Sequence, residues 1–195
     1  MPTASDQRRL GRPPLVDGDG RATAERLLAA AAAACAERGF EAVTLADVAR
    51  RAGVSAPAIY NHYGAKAQLL VAAGRWALDR LSPADSERMS PRAVARAFLE
   101  PSFAETRRLI LELHLAGQRH PDVAELVRAW NDEHAAVLAR RFPGPDSPAR
   151  VATFFALLLG LCHLDSLGSI GAGPGAVQER VFAMVDTLFP EEPTG

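Results

Sequence analysis

Lysine is almost missing from this chain of 195 residues. Of its 22 basic side chains, only Lys66 is lysine and the rest are arginine. Cysteine is scarce too. Cys35 and Cys162 both stand in apolar, helix-like contexts, which excludes a disulfide-stapled scaffold or a paired-cysteine metal knuckle and favours a reducing compartment. No apolar run reaches the roughly 20 residues of a membrane span. The longest, Val151 to Leu164, is interrupted by Thr153 and His163, so it is expected to be a buried helix. Arg8, Arg9 and Arg12 near the N-terminus are not followed by an apolar stretch, so no secretory signal is expected and the cytoplasm is the expected location. An excess of one charge is missing as well, with 22 basic and 23 acidic side chains. At 48% apolar and 23% charged, the composition is that of an ordinary globular chain, one domain or two small ones.

Catalytic signatures are also lacking. There is no HExxH, no GxxxxGK[ST], no GxGxxG after a strand, no GxSxG, and no repeated Glu-x-x-His. No enzyme activity, cofactor, catalytic residue or metal ligand is therefore expected. The balanced charge does hide an asymmetry. Residues 1–80 hold 11 basic and 8 acidic groups (+3), and residues 81–195 hold 11 and 15 (−4). A positive N-terminal part points weakly to an anionic partner there.

What is present is helical periodicity. Residues 1–20, rich in Pro, Gly, Asp and Arg, read as a flexible arm, and 191–195 as a tail. A helix is expected over 23–38, with Leu27, Leu28, Ala31 and Cys35 on one side and Gly39 as its stop. Thr44 caps a second helix, with Asp47 three residues on as a variant capping box. Gly53 ends that helix, Val54 is an apolar plug, and Ser55 caps a short third helix over about 56–62 with Pro57 in its first turn. A longer helix follows over about 65–81, then a linker at 82–91. Five more helices complete the chain, at about 92–99, 102–117, 121–141, 149–170 and 176–189. No segment alternates with the period of a strand, so the fold class is all-α. The expected domains are 21–66 and 67–190.

Helix, glycine turn and short helix form a helix-turn-helix pattern. Its second helix must be narrow to enter a major groove, and its outward positions are small: Ser55, Ala56, Pro57 and Ala58. Ile59 points inward. Tyr60, Asn61, His62, Tyr63 and Lys66 reach outward. The stretch Phe40-x-x-Val43-Thr44-Leu45-x-x-Val48-Ala49-x-x-Ala52-Gly53-Val54-Ser55-x-x-x-Ile59-Tyr60-x-His62-Tyr63-x-x-Lys66-x-x-Leu69-Leu70 closely resembles the DNA-binding domain of the TetR family of bacterial transcriptional repressors. With the preceding helix, the likeness covers roughly 23–70. The resemblance implies a homodimer, a palindromic double-stranded DNA operator, and a C-terminal domain whose small-molecule effector releases DNA. It implies a helix-capping and phosphate role for Thr44, backbone contacts from Tyr60 and His62, and a phosphate contact from Lys66. Asn61, Ala56 and Pro57 fall where base-reading residues are found. Tyr63 replaces the commoner phenylalanine and is expected to keep its packing role. The arm residues Arg8 and Arg12 are candidates for an A·T-rich minor groove.

In the C-terminal half, the helix over 149–170 is apolar nearly all round and needs cover on two sides. A second subunit can supply one of them, through Ala156, Gly160 and Leu164 with Val177, Val181, Met184 and Leu188 of the last helix. Phe98, Phe103, Ile110, Trp130, Phe154 and Phe155, with the polar His114, His134, Cys162 and Asp165, are candidates to line an apolar effector pocket. An architectural or activating DNA-binding protein without effector-driven release would carry the same N-terminal motif. A steep salt dependence with little sequence preference would distinguish it.

Overall fold

The structure, a computed structural model, describes residues 18–55, 57, 59–60, 63–80, 90–168 and 174–190. Residues 1–17 of the predicted arm, with Arg8 and Arg12, most of the 82–91 linker, the 191–195 tail, and Ala56, Ala58, Asn61 and His62 lie outside the described residues. Residues 18–20, expected in the arm, instead begin the first helix, five residues before the expected start at 23. Among the described residues there is no strand. The helices are α1 (Gly18–Ala42), α2 (Leu45–Ala52), α3 (Lys66–Asp79), α4 (Pro91–Leu99), α5 (Ala104–Gly117), α6 (Pro121–Arg141), α7 (Ser147–Ser166) and α8 (Pro174–Leu188). Pro57, Ile59 and Tyr60, between α2 and α3, also have helical backbone.

Alanine lets α1 sit centrally. Ala30, Ala31, Ala32 and Ala34 are buried beside Leu27 and Cys35, and these small side chains let α2, α3 and α5 all pack against the one helix. Gly39 was expected to stop α1. It kinks the helix instead (φ 79°, ψ 162°), and helical backbone continues to Ala42. The kink frees the Phe40 N–H, which donates to Glu112 Oε2 on α5 at 3.1 Å. That bond replaces the lost helical one and makes the extra turn tolerable.

The other boundaries follow local chemistry. Glu100 is extended (φ −66°, ψ 137°) because Pro101 follows it. Pro101–Phe103 then makes one 3₁₀ turn before α5. α7 was expected to reach residue 170 but ends at Ser166. Gly168 there adopts φ 63° and donates its N–H to Asp165 O at 3.0 Å, a left-handed turn that ends a helix. By length and composition α7 could cross a membrane. Here its Val151, Phe154, Leu158, Leu161 and Cys162 stripe is buried in the protein core, which runs continuously from α1 to α8.

Arg107 is the one buried cation among the described residues, at 6% exposure. Its Nε donates to Asp165 Oδ2 on α7 at 2.9 Å, and its Nη1 donates to the carbonyls of Phe98 and Glu100. It pins the end of α4 and the base of α7 to α5. A buried guanidinium persists only with such partners.

Candidate functional site

The helix-turn-helix is built as its residue types require. Thr44 is extended (φ −113°, ψ 152°). Its Oγ1 accepts the Asp47 N–H at 3.1 Å and donates to Asp47 Oδ2 at 2.8 Å. Asp47 also accepts from Arg38 at 3.2 Å and Arg50 at 2.6 Å. Thr44, foremost, and the two arginines hold the Asp47 carboxyl below its ordinary value near 3.8. Gly53 is left-handed (φ 68°) and returns its N–H to the carbonyls of Ala49 and Arg50. Val48 and Ile59 are wholly buried, so the helix and the segment after the turn are locked through their apolar sides. Ser55 and Pro57 are exposed, and Tyr60 stands out at 58% exposure. Ile59 and Tyr60, adjacent in sequence, thus take opposite faces. Tyr63 is half-buried against the core, and burial pushes its phenol up from its ordinary value.

Lys66 behaves differently from a solvated phosphate ligand. Its Nζ donates to Phe40 O at 3.0 Å and to Glu41 O at 3.5 Å, and lies 4.4 Å from the Phe40 ring centre. The ammonium therefore caps the C-terminal end of α1 from the first residue of α3. Around the same turn, Glu41 pairs with His120 Nε2 at 2.7 Å and with Arg119 at 3.6 Å. The α5–α6 connection thus grips the end of α1 beside the motif.

A second feature lies in the body: a cavity of about 540 Å³ among α3, α4, α5, α6 and α7. Seven predicted effector residues line it: Phe98, Ile110, His114, Trp130, His134, Phe154 and Phe155. Three others do not. Phe103 stacks on Phe98 at 4.9 Å between ring centres and is buried beyond the wall. Cys162 is buried in the core, where burial pushes its thiol up to about 12. Asp165 is engaged by Arg107. Leu78 and Asp79 at the end of α3, Val94 on α4, Asn131, Val137, Leu138 and Arg141 on α6, and Leu158 and Leu159 on α7 also line it and were not among the predicted effector residues. The α6 residues were within reach, because positions 130, 134, 137, 138 and 141 continue one helical face. Nothing in the spacing within α3 points to Leu78.

Of the predicted interface residues, Gly160, Leu164 and Met184 face outward, Ala156 is exposed on the wall of the cavity, and Val177 and Leu188 are half-buried. Val181 is a correction. It is buried within the chain, packed in the core with Phe182 and Val185, because α8 leans that face on α4. Leu167, not anticipated, is the most exposed large apolar residue described, at 63%.

Residues 27–73 match the family described as bacterial regulatory proteins, tetR family. The HTH-type transcriptional regulator BetI of Agrobacterium fabrum is 32% identical over 167 residues, covering 76% of this chain and 81% of that protein. The chain belongs to the TetR family. Solved structures share the fold. A TetR transcriptional regulator from Rhodococcus sp. RHA1 is 22% identical, with TM-score 0.61, covering 86% of this chain and 97% of the other. Salmonella enterica GusR is 19% identical, with TM-score 0.65, covering 93% and 99%. Like other TetR-family members, this chain is a DNA-binding transcriptional regulator, with an N-terminal helix-turn-helix domain and a helical C-terminal domain.

Proposed function

We propose that this chain is a repressor that binds a palindromic operator as a homodimer in the cytoplasm and is released by a small, mostly apolar effector. The observation that carries the reading is the linkage of head to cavity through α3. Leu78 and Asp79 at one end of α3 line the cavity. Lys66 at its other end holds the terminal carbonyls of α1. An effector that displaces Leu78 therefore moves the helix on which the DNA-binding head (residues 21–66) is seated against the body (67–190). A dimer reads two half-sites only at a fixed separation, so a small shift unseats one of them.

In this reading Asn61, Ala56 and Pro57 meet base edges, and Asn61 is suited to adenine. Thr44, Tyr60 and His62 serve the phosphate backbone, Ser55 is one of the small outward positions that let the helix enter the groove, Tyr63 keeps its packing role beside them, and Arg8 and Arg12 serve the minor groove. Lys66 acts first by positioning, since the α1 carbonyls already hold its ammonium. The dimer face is the outward side of α7 and α8. Leu164 and Met184 are exposed at 45% and 50%. A Cβ on Gly160 would meet nothing within 4 Å, so this chain's own packing gives no reason for a glycine there.

Fluorescence anisotropy on DNA from upstream of the protein's own gene tests the reading, at two salt concentrations. Asn61→Ala is expected to cost about 1–3 kcal/mol and to relax sequence preference. Tyr60→Ala is expected to weaken all sequences alike. Weak, salt-sensitive binding that ignores both substitutions would instead fit a sequence-tolerant architectural protein.

A further inference from the structure

Two histidines of the cavity are held in the same unusual way. His114 Nδ1 lies 2.9 Å from Ile110 O, and His134 Nδ1 lies 2.9 Å from Trp130 O. Each partner is the carbonyl one turn earlier on the histidine's own helix. A carbonyl can only accept, so Nδ1 is the protonated nitrogen in both rings. The neutral imidazole then carries its lone pair on Nε2. No described side chain donates to either Nε2. Both rings line the cavity, from α5 and α6 respectively, and the surrounding wall is largely apolar and aromatic.

We propose that this cavity selects a neutral, largely apolar ligand whose polar end is a hydrogen-bond donor, a phenol-like hydroxyl or an N–H, and that Nε2 of His114 or of His134 accepts that hydrogen. The proposal rests on the reading of the cavity as the effector site and specifies the ligand's chemistry. Fixing Nδ1 on the helix turns each ring into a pre-oriented acceptor, so little order is lost on binding. The aromatic wall suits a ring or alkyl body. Once the ligand's body covers the rings, an oxygen with no hydrogen leaves the acceptor it faces unanswered, which is the costly case. A carboxylate would bring lone pairs against those of the two rings, whereas Arg141 on the same wall would draw it, and the benzoate arm of the test weighs one against the other.

The test uses three probes with one apolar body: para-octylphenol, para-octylanisole and para-octylbenzoate. The readout is Trp130 fluorescence in full-length protein carrying Trp76→Phe, which leaves the cavity tryptophan as the sole reporter. The anisole is the more apolar of the first two probes, so a merely greasy cavity binds it at least as tightly as the phenol. Donor recognition reverses that order. The phenol is expected to bind about tenfold more tightly than the anisole, with the benzoate weakest. In His114→Phe/His134→Phe the ratio is expected to fall to about one. Because His134 is exposed, His134→Phe alone is expected to fold normally and lose part of the ratio, which guards against failure of the double variant. Equal phenol and anisole affinities, a preferred benzoate, or no binding by any probe would overturn the proposal. DNA release is measured separately by anisotropy. Phenol that is discriminated but leaves operator binding intact would support the ligand chemistry while overturning the cavity's role as the effector site.

Discussion

Gly39 answers two demands at once. Its φ of 79° with ψ of 162° belongs to a region that side chains other than glycine rarely enter. A Cβ there would also stand 3.0 Å from Glu112 Oε2, the oxygen that accepts the Phe40 N–H. Gly53 answers only the first demand, since a Cβ on it would meet nothing within 4 Å. Gly53→Ala is therefore expected to cost about 1–2 kcal/mol, and Gly39→Ala more, because Glu112 must also give way. Urea denaturation of the two variants checks the order. The cysteines give a second residue-scale prediction. Burial pushes both thiols up to about 12, so almost no thiolate exists at neutral pH. Neither is expected to react with an aromatic disulfide reagent in the native protein, whereas both react once the chain is unfolded.

At the scale of the element, the boundaries read from sequence held where a single residue type dictates them. Thr44 with Asp47, Gly53, and Pro121 are examples. Elsewhere they shifted, through a distant partner in the case of Glu112 and the turn after Gly39, and through the local left-handed turn at Gly168 in the case of α7. The motif's acidic groups carry a pH signature. Asp47 is held down by Thr44 and its arginines, Glu37 by its hydrogen bond from Arg51, and Glu41 by its bond to His120. Their ordinary values lie near 3.8, 4.5 and 4.5. A carboxyl depressed on folding contributes fully above its ordinary value and loses that contribution as pH falls through its folded value. The melting temperature is therefore expected to stay level down to about pH 4.5 and to fall below it. Asp47→Asn should flatten part of the fall while lowering stability at neutral pH. A further element-scale prediction concerns the outward face of α7 and α8. Leu164→Arg with Met184→Arg places charge on an apolar face this chain leaves uncovered. Analytical ultracentrifugation is expected to find a monomer with unchanged helicity.

Across the whole molecule, the legible part was the all-α class and the helix-turn-helix, because both depend on local spacing. The cavity was legible only in part. Phe98, Trp130 and His134 could be named as bulky or polar interruptions of helical stripes. Whether they met in one space depended on how five helices cross, which no single stretch encodes. Asp165 shows the limit. By sequence it was a polar group among apolar ones, and its engagement by Arg107 lies 58 positions away in the chain.

The bond from Phe40 N–H to Glu112, with one core running from α1 to α8, also has a thermodynamic consequence. Among the described residues the core is shared between head and body, so heating is expected to give a single calorimetric transition. Whatever binds the cavity must then stabilise the head as well. A ligand at a hundred times its Kd adds about 2.7 kcal/mol to the whole cooperative unit, on the order of 5–10 °C for a chain of this size. The same molecule that takes the head off its operator would leave it harder to melt.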